Sequence, residues 1–456
     1  MSFAAVVAPS RPHWLVAAIG MLALAVFSAV VGVGRETVWA HHALDGAVLW
    51  TGGVPAPPAY PMWGYSWWAG LFGVAAPFAQ AALAIPVMAV CLASVAAMWT
   101  ASTAGRLRRL GVGALALVAL GCWGLLAVSY YSNSVYSIGV AAGLLLVARE
   151  MGSPTARRGR LVAAGVAFGV AYHMRSEAAV VATMLALLWV LRGVLRGAPG
   201  RAIRSAAIVL ATLAVCASPW LVWTATHLDA PRLSSTNGPA VAYIGLGFYG
   251  GNPWGIVADD SHADKALPDD VPGGPWGEAA SRYFRAAFID AVRTHPGAFL
   301  RRMAVGLKLC AMQGLFTARG HKVFFLDKAQ TVEVDRLREA LKGMLGLPVN
   351  KLEMQRYGDA DPLASISAAA KGAFVTELLG RALGAVVWLL VAGLFAVALL
   401  VGRLRDDLTL VALAALVPML AIAATVQSLP RHTTGGALLA VLVAVGVGLR
   451  SNRTTP

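Results

Sequence analysis

The sequence has few charged residues, and among these the bases outnumber the acids. Only 13% of its 456 residues are charged, against roughly 25% in a typical soluble domain. The mean hydropathy is +0.68, and the chain repeatedly shows apolar runs long enough to cross a hydrocarbon core of about 30 Å. These features argue against an ordinary soluble domain and predict a membrane protein with several spans. Because lipid offers no hydrogen bonds to the backbone, the spans are predicted to be α-helices.

Cysteine patterns and internal repeats are also missing. The four cysteines share no short spacing, so neither a disulfide framework nor a cysteine metal site is predicted. The absence of a repeat weakens a transporter interpretation, since many transporters are built from repeats. The net charge is +15, but the excess arginines lie in short loops between apolar runs. That distribution follows the positive-inside rule and does not favour nucleic-acid binding.

The charge of the loops predicts an all-α polytopic membrane protein with about ten transmembrane helices and both termini in the cytoplasm. The expected location is the cell inner membrane, with membrane lipids as neighbours. The predicted spans are Trp14–Gly34, Pro77–Trp99, Leu110–Ser129, Ser134–Val147, Leu161–Tyr172, Ala178–Leu191, Ala206–Thr224, Ala373–Val401, Leu408–Val426 and Thr434–Leu449.

Three regions follow from this scheme. Residues 1–225 form an N-terminal transmembrane module whose first outer loop is 35–76, and residues 372–456 form the C-terminal transmembrane helices. Residues 226–371 form a mixed extracytoplasmic segment. Within it, 296–316 is apolar enough to be suspected as a span, but a crossing there would place Arg403 and Arg405 outside. This stretch is therefore predicted to be an interfacial helix on the outer face.

The first outer loop carries the first candidate chemistry. It contains Glu36 and Asp45 and ends in a Pro-rich aromatic run that includes Tyr60. A carboxylate where a helix leaves the membrane is a candidate general base. The alternative is an ordinary interfacial loop with anchoring aromatic residues.

Basic residues mark two other predicted outer loops. Arg175 and Glu177 lie at one hairpin tip, and Arg431 and His432 lie at a later one. Arginine can hold a phosphate with two hydrogen bonds, although a purely structural Arg–Glu pair is equally consistent with the pattern. Between these tips lies a Gly-, Asn- and aromatic-rich loop that contains Asn252 and is typical of ligand-binding loops.

No cofactor is predicted with certainty. The adjacent acids Asp259 and Asp260 leave a divalent cation open as an alternative. Two basic tips and an acidic loop on one face fit an enzyme that acts on a lipid phosphate, and they also fit a channel mouth or an anion site.

The order of these motifs resembles the GT-C superfamily of polytopic glycosyltransferases, particularly bacterial members similar to protein mannosyltransferases and aminoarabinose transferases. The resemblance covers nearly the whole chain as a series of short motifs. They are Glu36 through Pro61-Met62-Trp63, Arg175-Ser176-Glu177, Pro219-Trp220 with the later Asn237-Gly238 and Gly250-Gly251-Asn252-Pro253, His295-Pro296 with Phe299-Leu300, and Arg431-His432.

The resemblance implies transfer of a sugar from a polyprenyl-phosphate donor to a glycan, lipid or protein acceptor outside the cytoplasm, with inversion at the sugar. A carboxylate of the first outer loop would be the catalytic base. Glu36 is the matching residue and Asp45 the alternative, because Arg35 stands where the family often has a second acid. Substrate-binding roles are expected for Tyr60, Arg175, Glu177, Asn252, Arg431 and His432.

Two other classes remain open on sequence grounds. An oligosaccharide polymerase or ligase resembling O-antigen enzymes also uses outer Arg and His residues, and it would accept an oligosaccharide on a diphosphate lipid. A non-enzymatic transporter predicts charged residues near the middle of the membrane. The predicted spans contain almost none, which counts against it.

Overall fold

The computed structural model describes residues 39–54, 62–127, 132–258 and 260–313, apart from 103, 152, 154 and 229–230, together with scattered positions in 12–22 and 332–445. Helix is the only regular secondary structure in these ranges. The predicted all-α class is therefore confirmed there.

The helices are numbered here in chain order. They are α1 (Trp39–Trp50), α2 (Trp63–Phe72), α3 (Ala76–Thr100), α4 (Arg106–Ala127), α5 (Ser132–Met151), α6 (Arg158–Met174), α7 (Glu177–Leu195), α8 (Pro199–His227), α9 (Gly238–Gly245), α10 (Asp260–Ala266), α11 (Glu278–Thr294) and α12 (Pro296–Gln313). A short 3₁₀ turn, Gly73–Ala75, joins α2 to α3.

Four of these helices are long and apolar enough to cross a membrane. They are Phe78–Thr100, Ser134–Met151, Glu177–Leu195 and Pro199–His227, and they match the second, fourth, sixth and seventh predicted spans. Helices α4 and α6 occupy the third and fifth. The first predicted span and the last three fall largely outside the described residues, so the count of ten stays a prediction.

Glycines bring α6 into close contact with its neighbours. A Cβ added at Gly169 would lie 2.3 Å from the Cβ of Cys216 on α8, and one added at Gly165 would lie 2.5 Å from Thr212. On the α5 side, a Cβ at Gly139 would lie 2.8 Å from the Ala167 carbonyl oxygen. Small residues of this kind let helix backbones approach closely where no solvent-driven collapse holds them together.

The bundle of α5 to α8 has two chemically different ends. One end, called here the Arg-rich end, contains an ion pair between Arg160 and the buried Glu150 at 2.8 Å, and Arg192 donates to the Met151 carbonyl oxygen. The opposite end of α6 carries His173 and meets tryptophans of α2 and α8. We call it the aromatic end.

The segment after α8 packs against itself in a small core. Ala240 and Ile244 of α9 contact Ala280 and Phe284 of α11. The helix predicted at 296–316 is present as α12, and its place at the membrane surface stays a prediction. One side of this helix is buried and another is exposed, since Arg301 is exposed while Arg302 is fully buried. Arg302 donates from Nε to the Gly245 carbonyl oxygen at 2.8 Å.

Candidate functional site at the aromatic end

The hairpin tip between α6 and α7 holds the predicted Arg–Glu pair. Arg175 donates from Nε and from one Nη to the same carboxylate oxygen of Glu177, at 3.2 and 2.8 Å. Both side chains are about one-fifth exposed. Glu177 is the first residue of α7, where the helix dipole favours a negative charge. The pair is thus fixed in position and still open to a ligand.

His173, two residues earlier, ties this tip to the end of the first outer loop. The indole Nε1 of Trp63 donates to His173 Nδ1 at 3.0 Å, so His173 Nε2 carries the hydrogen that is donated to the Cys216 carbonyl oxygen at 2.7 Å. The backbone is equally close, because a Cβ at Gly64 would lie 2.3 Å from the His173 carbonyl oxygen. The first loop is therefore docked on the tip that carries Arg175.

Aromatic rings extend this contact to the end of α8. The ring of Trp63 lies 6.3 Å from that of Trp220 and 6.2 Å from that of Trp223. Trp223 in turn stacks on His227 at 4.9 Å. Trp220 is buried and His227 is exposed, so the rings lead from the interior of the bundle to its surface.

The first outer loop is a tight helical hairpin. A Cβ at Gly46 of α1 would lie 2.0 Å from the Ser66 carbonyl oxygen and 2.7 Å from Gly70 of α2. The imidazole of His42 lies 3.2 Å from the Ser66 hydroxyl. Asp45, the alternative candidate base, is half-buried on α1 beside Gly46.

Further out on the same hairpin, two tryptophans stack on each other. The rings of Trp50 and Trp67 are 4.5 Å apart, and Trp50 Nε1 donates to the Trp67 carbonyl oxygen at 3.1 Å. Both side chains are exposed. This pair provides a matched reference for the half-buried contact of Trp63.

The segment after α8 is anchored on the aromatic end. The hydroxyl of Tyr172 donates to the Leu233 carbonyl oxygen at 2.7 Å. Arg232 forms an ion pair with Glu278 of α11, which Arg282 also contacts at 3.3 Å. These contacts hold α9 to α12 above the end of the bundle where Arg175 lies.

Asn252 lies in a turn of this outer segment. Its amide nitrogen donates to the carbonyl oxygens of Tyr249 and Ile256, and its amide oxygen accepts from the Ile256 N–H at 3.1 Å. Gly251 and Gly255 have positive φ angles of 70° and 64°, which other residues rarely adopt. The amide of Asn252 thus closes the turn, and its predicted contact with substrate stays a prediction.

The other predicted site residues cannot be placed. Glu36, Tyr60, Arg431, His432 and Asp259 lie outside the described residues. The structure therefore joins Arg175 to Glu177, and the roles of the other residues stay predictions. Among the residues that the structure describes, no group of three His, Cys, Asp or Glu side chains is arranged to hold a metal ion.

Several buried polar side chains were not singled out by the sequence. Gln80, Trp123 and Tyr136 are almost fully buried, and within the described part of the chain their side-chain polar atoms have no hydrogen-bond partner. A buried polar group left without a partner costs roughly 1–3 kcal/mol. The sequence alone offers a signal for Gln80, because it is the only amide side chain in the predicted span Pro77–Trp99.

Burial also affects one titratable group of the outer segment. It raises the pKa of the Tyr243 hydroxyl above its ordinary value, and the neighbouring Tyr283 raises that pKa further. Tyr243 therefore stays neutral, and its ring packs against Phe284 at 5.3 Å. Tyr243 thus belongs to the core of the segment.

Comparisons with known proteins gave no match. No protein-family model, no curated protein and no solved structure is significantly similar to the chain.

Proposed function

We propose that the protein is a membrane glycosyltransferase that moves a sugar from a polyprenyl-phosphate donor to an acceptor at the aromatic end of the bundle. The supporting observation is the spatial convergence of three sequence motifs that are far apart along the chain. Trp63 closes the first motif and donates a hydrogen bond to His173, which lies two residues before the second motif begins at Arg175. The ring of Trp220 in the third motif lies 6.3 Å from that of Trp63.

Arg175 supplies the group that the donor phosphate requires. A guanidinium presents five N–H donors in a fixed fork that matches phosphate oxygens. The hydrogen bonds to Glu177 hold this fork at the tip. In the proposed reaction Arg175, with Arg431 and His432, stabilises the charge that grows on the departing phosphate.

The carboxylate of the first loop completes the chemistry. It takes the proton of the acceptor hydroxyl, whose oxygen then attacks the anomeric carbon of the donor sugar. The bond between that carbon and the phosphate oxygen breaks with inversion, and polyprenyl phosphate leaves with the bonding electrons. Glu36 is the proposed base and Asp45 the alternative, and their support is that the loop ends at Trp63, which donates a hydrogen bond to His173 beside the tip.

The proposed orientation places the aromatic end outside the cytoplasm. The opposite end carries Arg157, Arg158 and Arg160 at the start of α6 and Arg192 near the end of α7, as cytoplasmic loops do. The short α1–α2 hairpin and α12 then lie at the outer surface. A lipid-linked donor in the outer leaflet would reach Arg175 from the side of the bundle.

A transfer assay tests the proposal. The purified full-length chain is reconstituted into liposomes with a panel of radiolabelled polyprenyl-phosphate monosaccharides and a membrane extract as the acceptor source. We expect label to move from the lipid to an acceptor with at least one donor. A panel that gives no transfer, in vesicles where the protein is folded and exposed in both orientations, would refute the proposed function.

A further inference from the structure

The contact between α6 and α8 fixes the relative direction of these two helices. A Cβ added at Gly165 would lie 2.5 Å from the Cβ of Thr212, and one added at Gly169 would lie 2.3 Å from the Cβ of Cys216. From the first contact to the second the chain advances by one turn on both helices, in the same sense. Helices α6 and α8 are therefore parallel, and both begin at the Arg-rich end.

This register brings arginines of the two helices together. Two turns before the glycine contacts, α6 reaches Arg158 and α8 reaches the turn that carries Arg201 and Arg204. All three side chains are exposed. Glu150 is the only acid that the described helices α4 to α8 carry at this end, and its side chain is fully buried in the ion pair with Arg160. The exposed charge of the cluster is therefore positive.

Each of the two helices continues from its arginine as an exposed apolar stripe. On α6, Arg158 is followed at every fourth residue by the exposed side chains of Val162, Val166 and Val170. On α8, Arg204 shares one side of the helix with the exposed residues Ala211, Val215 and Val222. From Arg158 to Val170 the helix rises about 18 Å, which is enough to cross one leaflet of a bilayer whose hydrocarbon core is about 30 Å thick.

The two stripes border one groove. Helix α5 packs on α6, α7 packs on α8, and α5 and α7 contact each other, so α5 and α7 cover the same face of the α6–α8 pair. Val166 lies about 140° around α6 from Ala171, which contacts α5. Val215 lies about 140° around α8 from Ala202, which contacts α7. On the uncovered face, an apolar groove thus runs between α6 and α8 with arginines at one end.

A phospholipid with an anionic head group matches both parts of this groove. Its phosphate accepts paired hydrogen bonds from guanidinium groups. Its acyl chains match the apolar stripes, because α8 is one of the helices that are long and apolar enough to cross a membrane. Basic pockets between transmembrane helices bind anionic lipids in this way. A zwitterionic lipid adds a positive group that the arginines repel, and a soluble anion leaves the valines without a partner.

We propose that the groove between α6 and α8 binds an anionic phospholipid. The phosphate lies on Arg158, Arg201 and Arg204, and an acyl chain follows the valines of α6. The lipid belongs to the leaflet at the Arg-rich end, which is the cytoplasmic leaflet in the proposed orientation. This site lies at the opposite end of the bundle from Arg175, so it does not depend on the proposed transferase.

The test titrates the full-length protein with lipids in detergent and measures the bound lipid by native mass spectrometry. The probes are dioleoylphosphatidylglycerol, dioleoylphosphatidylcholine with the same acyl chains, and glycerol 3-phosphate without any chain. We expect the anionic lipid to bind at least about 10-fold more tightly than the zwitterionic one, and glycerol 3-phosphate not to displace it. Equal affinity for the two lipids would overturn the site, and displacement by glycerol 3-phosphate would replace it with a site for a soluble phosphate.

Two double variants test the head-group contacts. An arginine near an anionic head group contributes about fivefold in affinity, so Arg158→Gln with Arg204→Gln should weaken phosphatidylglycerol binding by about 30-fold. Arg106→Gln with Arg149→Gln removes the same charge from exposed positions of α4 and α5 outside the groove, and should leave the affinity nearly unchanged. An equal loss in both double variants would show that net charge, and not this groove, attracts the lipid.

A bulky side chain tests the path of the acyl chain. Val166→Trp fills the groove from α6 and should lower the affinity for phosphatidylglycerol. Val180→Trp makes the same change at an exposed position of α7 and should keep it. Because both positions are exposed, neither substitution overpacks the core. Unchanged binding by the Val166→Trp protein would remove the acyl chain from the groove and overturn the proposal.

Discussion

Trp63 donates a hydrogen bond from its indole to Nδ1 of His173 at 3.0 Å, across 110 residues of sequence. Because His173 Nε2 donates to the Cys216 carbonyl oxygen at 2.7 Å, both ring nitrogens are engaged and the imidazole cannot rotate without losing both contacts. The first outer loop is thereby fixed to the Arg175 tip and to α8. In the proposed function, this contact brings the loop that carries the candidate base to the arginine that would bind the donor phosphate.

Substitution of Trp63 by Phe tests this contact. The ring contacts with Trp220 and Trp223 remain largely possible, but His173 Nδ1 loses its donor. The hydrogen bond is half-buried, and its loss costs about 1 kcal/mol, so the thermal midpoint and the rate of transfer should both fall. Trp50→Phe is the control, because it removes the indole hydrogen bond of an exposed tryptophan. Equal effects of the two substitutions would contradict a special role for the Trp63–His173 contact.

Substitution of Arg175 tests the donor phosphate site. We expect Arg175→Ala to lower kcat/KM for the lipid donor by about 100-fold, which corresponds to about 2.7 kcal/mol of transition-state stabilisation. Arg175→Lys should recover part of the activity, since it restores the charge without the planar fork. Steady-state kinetics with varied donor concentration provide the measurement.

Arg160 offers a matched control at the Arg-rich end. Like Arg175 it pairs with a glutamate at 2.8 Å, and its side chain is 28% exposed against 23% for Arg175. Arg160→Ala should reduce stability without changing kcat/KM for the donor. A similar kinetic loss in both alanine variants would assign Arg175 to folding and not to the phosphate.

The identity of the base is tested with Glu36→Gln and Asp45→Asn. Removal of the base should lower kcat by at least about 100-fold, the lower limit of a typical contribution from general acid–base catalysis, while KM for the donor stays nearly constant. We expect this loss for Glu36→Gln. The same loss confined to Asp45→Asn would transfer the role to Asp45, and full activity of both variants would remove the base from this loop.

Glycine packing of α6 is tested by a pair of substitutions in that one helix. At Gly169 even an added Cβ would lie 2.3 Å from the Cβ of Cys216, so the larger side chain of Gly169→Val overpacks the contact. Overpacking of this kind costs about 1–3 kcal/mol. Gly159 has open space around it, so Gly159→Ala should be neutral or slightly stabilising, because alanine favours helix. Thermal unfolding in detergent separates the two, and equal midpoints would show that α6 and α8 are not tightly packed.

The sequence predicted the helices of the bundle because long apolar runs in lipid have no other structure available. The predicted span Pro77–Trp99 and the helix Ala76–Thr100 agree closely. The α1–α2 hairpin was not predicted, because 35–76 was interpreted only as a loop. Gly46 and Gly70 instead permit the close approach of α1 and α2, which is a tertiary effect that local propensity does not reveal.

Part of the candidate site was also visible in the sequence. The pairing of Arg175 with Glu177 follows from their short spacing at a hairpin tip. The contact of Trp63 with His173 depends on how helices pack across the bundle, and nothing in the spacing of a single Trp and a single His indicates it. The same holds for Trp123 and Tyr136, whose unpaired polar atoms become visible only when burial is known.

The most direct test of the proposed function identifies the lipid product of the reaction by ³¹P NMR. The proposed function predicts that each transferred sugar releases one polyprenyl monophosphate, and that Arg175→Ala suppresses this release. A polyprenyl diphosphate product would contradict the proposal and favour an oligosaccharide polymerase or ligase. An unchanged donor lipid that merely crosses the bilayer would contradict it in favour of a transporter.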